Sequence, residues 1–90
     1  MEISDVFLRN EGYVWREIDG EAILMSPYGD QIHALNDVGT FIWKLMNGYN
    51  SIGDITDQLC EEYEVIKEQA LSDLLRFLER LLDIKAIRTS

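Results

Sequence analysis

Ninety residues, 47% of them apolar and 28% charged, make one hydrophobic core and exclude a second module. Seventeen acidic against eight basic residues leave a net charge of −9, and both halves of the chain are negative, a surface that repels phosphate backbones and excludes nucleic acid while steering basic or neutral peptides inward. One cysteine and one histidine exclude an internal disulfide and a closed zinc site.

Met1 to Asn10 carries two acids and no apolar run fit for a signal segment. No later run is long enough for a membrane span, so a cytoplasmic protein with no membrane partner is expected. Tyr13 to Ile18 is rich in β-branched and aromatic side chains in alternation, which predicts a strand. Asp19-Gly20 is a preferred pair for a type I′ turn, and Glu21 to Ser26 resumes as the second strand of a hairpin. Pro27-Tyr28-Gly29-Asp30 reads as a turn, after which Gln31 to Leu35 forms a third antiparallel strand. Being last in the meander, this strand has one side free, with backbone N–H and C=O groups open to a partner.

Asn36 reads as an N-cap with Asp37 in the first turn, and Val38, Phe41, Ile42, Leu45 and Met46 recur at helical spacing. The first helix is therefore expected over Asp37 to Asn47, with Gly48 as its C-cap. Ser51, three residues before Asp54, is the N-cap of a second helix whose face is Ile52, Ile55, Leu59 and Tyr63. Lys67 to Asp83 is a third helix with two adjacent apolar rows: Ala70, Leu74, Phe77 and Leu81, and beside them Leu71, Leu75, Leu78 and Leu82. Two rows are more than one docking face needs, so either both are core or one is offered to a partner. Ile84 to Arg88 alternates and reads as a terminal strand or an extended tail. The fold class is α+β, winged-helix-like, with a three-stranded antiparallel sheet followed by three helices in a single domain over residues 1–90.

Catalytic motifs are missing. Gly48 and Gly53 bracket a loop without the Lys-Ser/Thr of a phosphate-binding loop, and there is no G-x-S-x-G elbow. Cys60 lies beside Leu59 with no base paired to it in sequence, which reads as a small packed thiol. Glu61 and Glu62 read as a solvated helix edge. His33 on the third strand is either a surface residue or a binding residue, and Trp43 either closes the core against the sheet or marks a surface. No enzyme and no cofactor are expected.

One longer pattern stands out: Trp15-Arg16-Glu17, Asp19-Gly20-Glu21-Ala22-Ile23-Leu24, Ile32-His33-Ala34-Leu35-Asn36, Ile42-Trp43-Lys44-Leu45 and Asn47-Gly48, followed by Ile55 to Leu59, Tyr63 and a Leu-rich third helix. In this order and spacing it resembles the PqqD family over nearly the whole chain. The resemblance implies a recognition element for ribosomally made, post-translationally modified peptides, non-catalytic, which binds the leader segment of a precursor peptide. It further implies that the leader adds as a strand to the third strand and lies in a groove against the third helix. Carried over, the backbone contacts are Gln31, Ile32, His33, Ala34 and Leu35, and the pocket candidates are Ala70, Leu71, Leu74, Leu75 and Leu78, with the choice of helical row open. The implied partners are a precursor leader peptide and a modifying enzyme, such as a leader peptidase of lasso-peptide type or a radical enzyme. Members serving pyrroloquinoline quinone synthesis usually end in a Gly-Trp-type tail, whereas this chain ends Ile84 to Ser90, which favours a lasso or radical-modified peptide.

A DNA-binding winged helix would read with its third helix, but Lys67 to Asp83 holds three basic and four acidic residues. An acidic carrier protein needs Asp-Ser-Leu at a helix start, and Leu71-Ser72-Asp73 is reversed and inside a helix. A homodimer pairing through the free edge strand uses the same surface as a peptide would.

Overall fold

The computed structural model describes residues 1–90. In chain order the elements are β1 (Val6–Arg9), β2 (Val14–Ile18), β3 (Glu21–Met25), β4 (Ile32–Ala34), α1 (Asp37–Leu45), β5 (Asn47–Ser51), α2 (Ile52–Tyr63), α3 (Lys67–Asp83) and β6 (Ile87–Thr89). The expected meander is present as one antiparallel sheet of order β2-β3-β4. Its first turn has φ of 52° at Asp19 and 82° at Gly20, the two positive values a type I′ hairpin requires. The architecture is α+β and winged-helix-like, as expected, with a second antiparallel sheet of order β5-β1-β6 added to it.

That second sheet changes the first helix and the tail. Helix α1 ends at Leu45 rather than Asn47, and Met46 caps it by donating its N–H to the Trp43 carbonyl. Gly48 does not cap α1; it lies in β5 with φ of 86°, where an added Cβ would stand 2.6 Å from Leu8 Cδ2. Close approach of β5 to β1, together with the left-handed backbone, is what requires glycine there. Only the end of the alternating segment is a strand: Ile84 caps α3 and Lys85 turns with φ of 61°, after which β6 pairs with β1, and Ala86 and Ile87 are buried.

Capping at the helix starts follows the expected chemistry. Asn36 Oδ1 accepts from the Gly39 N–H at 2.8 Å. Ser51 and Asp54 form a full capping box, with the Ser51 hydroxyl accepting from Asp54 N–H at 3.1 Å and the Asp54 carboxylate accepting from Ser51 N–H at 3.0 Å. Ser51→Ala should lower stability by about 1 kcal/mol, a fall of roughly 5 °C in melting temperature for a domain of this size, measurable by calorimetry.

The core lies between the first sheet and the three helices, with Phe7 of β1 and Ile87 of β6 closing it from the second sheet. Trp43, Leu24, Met46, Ile52, Ile55, Leu74, Leu78 and Leu81 are fully buried in it. Trp43 therefore closes the core, meeting Trp15 of β2 edge to face at 6.0 Å. Arg9 covers both rings, with its guanidinium 5.6 and 5.9 Å from their centroids, and donates to the carbonyls of Trp43 and Lys44 at 3.0 Å each. A strand residue thus satisfies carbonyls at the end of α1 that the helix cannot. Tyr13 donates its hydroxyl to the Ile84 carbonyl; burial, and then the Asp30 carboxylate, push its pKa above the usual phenol value. No helix is long and apolar enough to cross a membrane.

Candidate functional site

Strand β4 is one of the two edges of the first sheet, β2 being the other, and it is the edge beside α1 and a groove. Its register on β3 opposes Ile23 to Ala34, Leu24 to His33 and Met25 to Ile32. Leu35 N–H donates to the Ala22 carbonyl at 2.8 Å, and Gln31 C=O accepts from Ser26 N–H at 3.0 Å. An antiparallel ladder bonds every second residue to the same neighbour, so Gln31, His33 and Leu35 turn their backbone groups toward β3. Ile32 and Ala34 turn theirs outward. Of the five expected backbone positions, only these two offer a free donor and acceptor to an incoming strand.

Helix α1 is held close behind this edge. The buried Thr40 hydroxyl accepts from Ala22 N–H at 2.7 Å and faces the Leu35 carbonyl at 3.4 Å, tying α1 to both β3 and the end of β4. Helix α3 packs alongside, and between it, α1 and β4 lies a groove of about 310 Å³ lined by Ala34, Leu35, Asn36, Val38, Gly39, Ile42, Asp73, Phe77 and Arg80. The Phe77 ring rests on Gly39, where an added Cβ would stand 3.2 Å from Phe77 Cζ. A side chain at position 39 would require the Phe77 ring to shift by a few tenths of an ångström.

The helical residues expected at this site divide differently. Ala70, Leu74 and Leu78 are at most 3% exposed and belong to the core with Leu81. Leu71 and Leu75 pack on the other flank, with Leu71 at the rim of a separate polar cleft of about 550 Å³ formed with Ile3, Asp57 and Lys67. That cleft is larger than the groove but touches neither β4 nor its free backbone groups. Groove-lining residues not among the expected pocket positions are Asp73, Phe77 and Arg80, with Val38 opposite them. At 100° per residue, positions 73, 77 and 80 share one edge of the helix, and 71, 75 and 82 share the opposite edge of the buried row. A helical wheel centred on the row 70, 74, 78 and 81 would have found them.

The outward face of the same sheet is also apolar. Val14, Ile18, Met25 and Ile32 are exposed and Ile23 is half-buried, and together they line a shallow depression. Ile32 thus presents its backbone at the edge and its side chain on this outer face. The His33 side chain points to the inner face beside Leu24, its Nε2 3.2 Å from Gln31 Oε1.

The family description "Coenzyme PQQ synthesis protein D (PqqD)" matches residues 21–87, from β3 through the start of β6. The chain belongs to the PqqD family. A PqqD relative, the PqqA binding protein of Bradyrhizobium diazoefficiens, is 30% identical over 61 residues, which are 68% of this chain and 57% of that protein. The match therefore spans little more than half the length of that relative. Among solved structures, TbiB1 in complex with the TbiA(beta) leader peptide superposes with a TM-score of 0.83 at 27% identity, covering 90% of this chain and 94% of that one. Lasso peptide synthetase B1 complexed with a leader peptide shares the PqqD fold at a TM-score of 0.75 and 22% identity, with the same coverage.

Proposed function

We propose that the chain is a cytoplasmic, non-catalytic recognition domain that binds the leader segment of a precursor peptide and delivers it to a modifying enzyme of the leader-peptidase or radical type. The leader adds as a strand at β4, bonds to the outward N–H and C=O groups of Ile32 and Ala34, and lays alternate side chains into the groove against α3. The observation that carries this reading is the coincidence of a free strand edge with a groove that opens at the end of that strand, where Ala34 and Leu35 form part of its wall. Family membership supports it, as does the likeness to a protein solved with a leader peptide. Gln31, His33 and Leu35 shape the strand rather than donate to the peptide, and Ala70, Leu74 and Leu78 support the helix from behind. Leu71 and Leu75 steady its far flank.

The test is a titration of fluorescently labelled leader peptides from candidate precursors into the purified protein. Saturable binding of the leader, with the core segment alone inert, is the expected result. Absence of binding at high micromolar concentration, together with a dimeric mass in solution, would replace this reading with self-association through the same edge.

A further inference from the structure

The groove is charged unevenly, and this bears on which peptides it accepts. Arg80 lines it and makes no ion pair, although the chain holds 17 acidic side chains for its 8 basic ones. Asp73 lines the other end in an exposed ion pair with Arg76; its Oδ1 accepts from Arg76 at 2.6 Å and from Gln69 at 2.9 Å, and its Oδ2 makes no hydrogen bond. Phe77 sits between them, fixed against Gly39. The three residues occupy consecutive turns of α3, so Asp73 and Arg80 are separated by about 10.5 Å along the helix axis. An extended peptide repeats side chains on one face every ~6.8 Å, so positions i, i+2 and i+4 span about 13.5 Å. Flexible charged side chains absorb the remaining difference.

Resting on the leader-binding reading, we propose that the groove selects a segment with three alternate side chains of defined chemistry. These are a basic one beside Asp73, an apolar one on the Phe77 ring and an acidic one on Arg80. The order of the two charges along the peptide then sets the direction in which the strand adds. Long-range attraction of this acidic protein for basic peptides does not supply that orientation, because it is blind to where on the peptide a charge lies. Arg80 is the local exception that does.

The experiment is a charge-swap cycle with synthetic labelled leader peptides, one native and one with the acidic residue of the alternating triad replaced by lysine. The lysine peptide should bind the wild-type protein about tenfold more weakly at low salt. Arg80→Glu should weaken the native peptide by a similar factor and recover the lysine peptide. Arg80 is exposed but lies in the last turn of α3, so the variant should melt a few degrees lower and remain folded at the temperature of the titration. Native leader binding that changes less than twofold in Arg80→Glu would overturn the proposal and leave leader recognition standing. So would equal weakening of both peptides, or tight binding of a leader without the triad. Failure of every peptide to bind the wild-type protein would overturn the leader reading and this proposal with it.

Discussion

Ala34→Pro is expected to abolish leader binding, raising Kd by about 100-fold or more, while the far-UV circular dichroism of the protein stays that of the wild type. The Ala34 N–H points away from β3, so proline there removes no bond of the existing ladder. It removes a donor to the incoming strand and puts the ring's Cδ in the space that strand must enter, where neighbouring backbones approach to about 4.8 Å. The adjacent substitution, His33→Pro, supplies the contrast. His33 faces Leu24 in the bonded register, so proline there should cost stability through the sheet itself. Unchanged affinity in a folded Ala34→Pro protein would mean that the peptide sits elsewhere.

Leu74→Glu should unfold the domain. Leu74 is fully buried among Ala70, Leu78 and the α2 face. Truncation to alanine at such a site costs about 2–5 kcal/mol, and an unpaired buried carboxylate costs more. A domain of this size has on the order of 5–15 kcal/mol to lose. The expected readout is loss of the cooperative thermal transition and of the near-UV signal from the packed Trp15 and Trp43 pair. A folded Leu74→Glu protein with weakened peptide binding would instead place this residue in the groove. Phe77, on the same helix but at its edge, should behave in the opposite way under substitution by alanine: weaker binding with little loss of fold.

What was legible in the sequence was what is local. The type I′ pair Asp19-Gly20, the caps Asn36 and Ser51 and the bounds of α3 are each decided by a few adjacent residues, and they stand where the sequence put them. The second sheet was not legible because its strands are polar or very short and pair across the chain. Asn47 to Ser51 has no strand propensity of its own and is extended because Val6–Arg9 lies beside it. The same non-local pairing withdrew Gly48 from the end of α1. At the site, the open edge could be read from strand order, but the groove-facing side of α3 could not be read from the apolar pattern. A wide apolar face shows where a helix is buried on average; the groove lies along its margin, where Phe77 is flanked by Asp73 and Arg80. Only the position of α1 behind β4, fixed by Thr40, decides which margin that is.

The shortness of β4 also limits what its backbone can contribute. Ile32 and Ala34 present two N–H and two C=O groups to an added strand. At about 1 kcal/mol net for each hydrogen bond, four such bonds amount to ~4 kcal/mol, the scale of a millimolar complex. Any extended segment in the cell could make them, and at that strength none would stay. In the proposed binding mode, discrimination and residence time therefore come from side chains in the groove, and the edge remains open without becoming a general trap for unpaired strands.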